Sequence, residues 1–292
     1  MAARGDGPMA VTVMTVLTAI LLVFSVLRIY TRKFVVNSYG LDDHVYLLAF
    51  FLFLFYTIFI GVAAHYGFGQ NMWEIDPPRN ITLAVLYECI AQTFAVIGMA
   101  VAKWSLGLFL LRLVQRTWHK IAIWAMMCEL LFASLLCLFF FWLQCSPPRY
   151  LWDKTVVDGQ CKLPQLEVSI LLGASCVLTD LFFAIMPWVF IWKLQMNRRE
   201  RLIILASMSL GIIAAACGIK RATEIPKLMS DNYLKDSTGI IVWSAAEMAV
   251  TMICIGIPVC RPLYKNYISR LTSGGASSRY KDLSGRAENP AG

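Results

Sequence analysis

Long apolar stretches, each closed by charged or turn-forming residues, repeat along the whole chain. The first, MAVTVMTVLTAILLVFSVL at 9–27, runs nineteen residues without a charge. At roughly 20 residues per bilayer crossing, the pattern predicts seven helices, near 9–29, 44–64, 83–111, 120–144, 166–192, 201–222 and 238–260. The stretches are too long for tilted barrel strands and lack a period of two. The fold class is therefore all-α, a seven-transmembrane helix bundle. The leader MAARGDGP carries no basic excess, so the first stretch reads as a retained span and not as a signal peptide.

The connections are short. The longest, SPPRYLWDKTVVDGQCKLPQ at 146–165, has the prolines and glycine of a loop folded on itself. Residues 1–8 form a short outer N-terminus, 9–265 the membrane domain, and 266–292 a Gly/Ser-rich tail that reads as disordered. Composition sharpens the membrane reading: 59% of the 292 residues are hydrophobic and 15% charged, where a soluble domain carries about a quarter charged.

The formal charge is +8, and its placement gives an orientation. Of 26 Lys and Arg, sixteen fall after helices 1, 3 and 5 and in the tail, seven on the other side and three within spans. The positive-inside rule puts the N-terminus outside and the C-terminus in the cytoplasm. Basic loops over an anionic leaflet need no nucleic acid as partner. Plasma membrane and endoplasmic reticulum both fit. The sequon Asn80-Ile81-Thr82 lies between helices 2 and 3, on the outer side, and makes Asn80 a glycosylation candidate. Cys145 and Cys161 flank the longest outer loop and are the natural disulfide pair of an oxidising compartment. Cys89 is a rival partner for Cys161, and free thiols are the remaining alternative.

Ionisable groups inside a membrane require a partner, a cavity or a function. Helix 3 carries Glu88 and Lys103, helix 4 Glu129, helix 5 Asp180 and helix 7 Glu247. Lys103 either pairs with Asp180 across the bundle or snorkels to the interface. Lys103, Asp180, Glu247 and Glu88 form a candidate ligand or polar cluster. Asp180 and Glu247 are the acid/base candidates if the protein is a membrane-embedded cyclase or isomerase. Pro187 and Pro258 interrupt backbone bonding in helices 5 and 7. His44, His65 and His119 lack metal-ligand spacing, so no metal site is read, and no cofactor motif is present. Small residues in GIIAAACG, 211–218, suit close helix packing.

The order of eight segments resembles the fungal rhodopsin-domain integral membrane proteins. These are RIYTRKF (28–34), GLDDHVYL (40–47), GVAAHYGFG (61–69), AKWSLGLFLLRL (102–113), LQCSPPRYLWD (143–153), TDLFFAIMPWVFIWKLQMNRRERL (179–202), SLGIIAAACGIKRATEIP (209–226) and VWSAAEMAVTMICIGIPVCRPLY (242–264). The family's aromatic residue before the helix 3 arginine is absent; Arg112 remains. Asp42 and Asp43 match the family's acidic pair at the cytoplasmic start of helix 2, where they can cap the helix and lie across from Arg28, Arg32 and Lys33. A cytoplasmic coupling switch is the alternative role.

The resemblance implies no single activity, since some members look like receptors and others belong to specialised-metabolite clusters; the expectation here is a protein associated with specialised-metabolite or mycotoxin biosynthesis, acting on or binding a hydrophobic small molecule in the bundle. The alternatives are a receptor for an external cue with a cytoplasmic signalling protein as partner, and a small-molecule transporter. Retinal is not expected, because a Schiff base needs a lysine in the last helix, and 238–260 contains none.

Overall fold

The computed structural model describes residues 5–38, 40–114, 116–191, 198–230 and 232–260; the tail expected from 266 onward lies outside them. The long helices are α1 (Gly7–Tyr30), α2 (Leu41–His65), α3 (Arg79–Leu113), α4 (Thr117–Leu143), α5 (Gln165–Ile191), α6 (Arg198–Glu224) and α8 (Thr238–Val259). A single turn, α7 (Tyr233–Asp236), precedes α8. Six of them, α1–α5 and α8, are long and apolar enough to cross a membrane. The seventh long helix, α6, has its charges at its two ends, on either side of residues 202–219. The architecture is an all-α bundle.

Each long helix packs on its sequence neighbours, and α8 closes the ring by packing on both α6 and α1. Helix α3 also touches α5 and α8, so one helix reaches three sides of the bundle. Helices in lipid gain no hydrophobic drive from one another, so close packing and interhelical hydrogen bonds must hold them. Both are present. Tyr46 and Tyr56 on α2 donate their hydroxyls to the Met252 and Ile241 carbonyls of α8 at 3.3 and 3.0 Å. The Thr18 and Thr57 hydroxyls join α1 to α2 at 2.9 Å. Phe59 stacks on both Phe94 and Tyr87 between α2 and α3. Large apolar side chains such as Phe51, Phe132, Phe139 and Ile185 point away from the core, which gives the bundle an apolar outer surface.

The ends of the helices define two faces. At the N-terminal face, Asp6 N–H donates to the Gly69 carbonyl and Gly69 N–H to the Leu234 carbonyl, each at 3.0 Å. Two short antiparallel strands, β1 (Cys145–Ser146) and β2 (Gln160–Cys161), lie over the same face. Cys145 and Cys161 are opposite each other in this ladder and are disulfide-bonded. Helix α3 begins at Arg79, directly after Pro78, so Asn80 occupies its first turn and not the preceding loop. At the opposite face, α1 continues into a π turn, Thr31–Val35.

Candidate functional site

Four charged side chains from four helices meet in the bundle interior. Lys103 on α3 places its ammonium 2.7 Å from Asp180 Oδ1 on α5 and 2.9 Å from Glu247 Oε1 on α8. It also donates to the Cys176 carbonyl at 2.9 Å. Arg221 on α6 places Nε 2.9 Å from Glu247 Oε2. All four side chains are buried. Glu247 is thus shared by two cations, and the cluster as a whole is neutral. Gly218 permits this arrangement, because the site of its missing Cβ lies only 3.3 Å from the Glu247 carboxyl.

The sequence singled out Lys103, Asp180 and Glu247, and the structure brings these three together. Arg221 was missed as a member. The available signal was charge balance: two deep acids faced a single deep lysine, and Arg221 was a second cation within a span. Glu88 does not join the group. It lies fifteen residues before Lys103 on the same helix, roughly 22 Å along the axis. It is buried beside Tyr233 and Ser237, and its Oε2 has no hydrogen-bond partner among the described residues. Glu129 accepts a hydrogen bond from Ser175 on α5 at 2.6 Å.

A water-sized cavity of about 10 Å³ adjoins the cluster, lined by Asp180, Thr251 and Cys254 with apolar neighbours. Asp180 Oδ2 has no hydrogen-bond partner among the described residues. A volume of this size admits about one water molecule. Both carboxylates are ion-paired, and the void that Asp180 lines is smaller than any organic substrate.

The second cluster sits at the opposite face. Arg28 reaches from α1 to Asp43 Oδ1 at 2.8 Å and Asp42 Oδ2 at 2.9 Å. Arg32 lies 3.5 Å from each, and Arg112 at the end of α3 is 2.6 Å from Asp42 Oδ1. Asp43 Oδ2 accepts the Gly40 N–H at 3.0 Å, the carboxylate half of a capping box. Ser105 on α3 donates to the Asp42 carbonyl at 3.2 Å. The Arg28 guanidinium rests 4.6 Å from the Tyr46 ring centroid. Asp43 therefore caps α2, and the pair ties α1, α2 and α3 together. Among the described residues, no group of three or more His, Cys, Asp or Glu side chains is arranged to hold a metal.

Comparison with known proteins adds a lineage. The profile of the fungal rhodopsin domain matches residues 27–266. Receptor GIN3 of Arthrobotrys oligospora is 24% identical over 262 residues, covering 85% of this chain and 60% of that protein. Fugralins biosynthesis cluster protein 2 of Gibberella zeae is 25% identical over 122 residues, 41% of this chain and 30% of that protein. A SAT4 family membrane protein of Emericella nidulans is 27% identical over 149 residues, 48% of this chain and 37% of that protein. The chain therefore spans only 30% to 60% of the length of these relatives. No solved structure matches it.

Proposed function

This chain belongs to the fungal rhodopsin domain family, and on that premise we propose that it is a receptor-like multi-pass membrane protein that senses a small molecule and passes a change in helix packing to a cytoplasmic partner. The observation that carries this reading is the engagement of both deep carboxylates. Asp180 and Glu247 each have a cation within 2.9 Å, and a general acid needs a proton it can release toward a substrate. A four-helix ion cluster beside a water-sized void is suited to holding alternative packings of α3, α5, α6 and α8, and poorly suited to turnover of an apolar intermediate. Receptor GIN3, the relative that aligns over most of this chain, supports the same reading.

The basic loops support a cytoplasmic position for the face carrying Arg28, Asp42 and Arg112, and an outer position for the disulfide face. Plasma membrane and endoplasmic reticulum both fit this orientation. The residues present do not fit retinal: α8 has no lysine, and Lys103 is committed to two carboxylates.

A second reading is association with specialised-metabolite biosynthesis, favoured by the similarity to Fugralins biosynthesis cluster protein 2. Deletion in the native host separates the two, with complementation by wild type or Asp180→Asn and scoring of metabolites alongside responses to nutrient and surface cues. Loss of a response with an unchanged metabolite profile supports the receptor reading. Accumulation of one unprocessed precursor overturns it in favour of the second.

A further inference from the structure

A cleft of about 340 Å³ opens at the N-terminal face between the start of α1, the end of α6 and the α7–α8 junction. Its volume falls in the range of small-molecule sites. The charges around it are unevenly satisfied. Glu224 is held by Lys227 at 2.7 Å and by Lys220 at 3.0 Å, and these ammonium groups keep its carboxyl below the usual range. Asp236 accepts the Ser230 hydroxyl. Lys235, which also lines the cleft, has no ion-pair partner among the described residues. Two ammonium groups, Lys227 and Lys235, and three carboxylates, Asp6, Glu224 and Asp236, line the cleft, and of the two cations Lys235 is the one that no carboxylate among the described residues holds.

A second observation points to the same place. Thr238 lines the cleft at 5% exposure, and its Oγ1 is buried without a hydrogen-bond partner among the described residues. It is the first residue of α8, a helix of 22 residues with no side-chain cap at Ser237. The backbone stays helical through Ser237, from α7 into α8, which places Thr238 and Lys235 one turn apart on the same side of the junction. One turn further on, Val242 and Trp243 continue the wall, with Met9 of α1 also lining the cleft.

We propose that this cleft binds a small amphipathic monocarboxylate. The carboxylate accepts from the Lys235 ammonium and the Thr238 hydroxyl at the start of α8, and the apolar body lies along Val242, Trp243 and Met9. Asp6, exposed on the α1 side, disfavours a second anionic group. The proposal rests on the receptor reading only for its biological meaning; the binding is a property of the purified chain.

The test uses the full chain in nanodiscs and dodecanoic acid carrying a diazirine, with the photoadducts mapped by mass spectrometry. Adducts are expected within residues 233–243, competed by dodecanoate and not by dodecanol. Loss of a hydrogen bond to a charged group predicts that Lys235→Gln lowers this labelling about tenfold. Thr238→Val lowers it by a smaller factor, and Lys235→Arg retains it. Adducts on lipid-facing segments serve as the internal standard for folded protein. Equal competition by dodecanol, or labelling of 233–243 that is indifferent to Lys235→Gln, overturns the proposal. Labelling that obeys these rules while Lys235→Gln leaves the host's response intact supports the site and overturns its link to the receptor reading.

Discussion

Arg112 and Asp42 meet at 2.6 Å between the end of α3 and the start of α2, and the guanidinium runs directly over Gly40. A Cβ at position 40 would collide with it. The two partners differ in exposure: the Asp42 side chain is fully buried and the Arg112 side chain is 41% exposed. That difference fixes the ranking of their substitutions. Asp42→Asn leaves the buried Arg28 without one of its two carboxylates and is expected to cost about 3–5 kcal/mol. Arg112→Gln removes a half-solvated partner and is expected to cost about 1 kcal/mol or less. Gly40→Ala displaces the flexible end of Arg112 and should match Arg112→Gln. Thermal unfolding in one detergent checks the order, and equal loss for Asp42→Asn and Arg112→Gln contradicts it.

The interior cluster predicts coupling. Lys103→Met leaves Asp180 uncompensated and Glu247 with Arg221 alone, a loss of about 3–5 kcal/mol. Adding Asp180→Asn removes the uncompensated charge and keeps the Arg221–Glu247 pair. The double variant is therefore expected to be more stable than Lys103→Met by about 1–3 kcal/mol. Strict additivity of the two single losses would show that Lys103 and Asp180 do not interact.

The disulfide-bonded hairpin predicts a local effect. The disulfide closes a loop with a sequence separation of 16, for which loop-closure entropy gives about 3 kcal/mol. Cys145→Ser should speed hydrogen exchange in 146–160 first and leave the interior of α3 and α8 protected. Uniform loss of protection would place the bridge on the global folding path instead.

Acid should loosen the N-terminal face. Lys227 and Lys220 hold the Glu224 carboxyl low, so its pairing stabilises the folded state fully above the ordinary Glu value of about 4.3. That contribution is lost as pH falls through the lower folded-state value. Exchange protection of 225–239, corrected for intrinsic rate, is expected to hold down to that range and then fall. Glu224→Gln should flatten the profile, and an unchanged profile in that variant would assign the effect elsewhere.

The two α2–α8 tyrosines offer a neutral comparison. Each gives a hydroxyl to a backbone carbonyl of α8, so Tyr46→Phe and Tyr56→Phe should each cost about 1 kcal/mol. Chemical unfolding of the single and double variants tests whether the two losses add.

The all-α membrane class was legible in the sequence because apolar runs of spanning length are a local property. In lipid a chain must satisfy its backbone internally, as a helix or a closed barrel, and runs this long without a period of two leave the helix. The acidic pair Asp42 and Asp43 was legible for a similar reason, since capping acts within one turn. Lys103, Asp180 and Glu247 stood out because charge within an apolar run is costly wherever it occurs. Their partners did not stand out. Which carboxylate faces Lys103, that Arg221 turns inward to Glu247, that Glu88 is left aside and that Arg112 crosses Gly40 all depend on the rotation and depth of one helix against another. Those are set by close contacts between elements far apart in sequence, such as Gly218 against Glu247, and only the tertiary structure decided them.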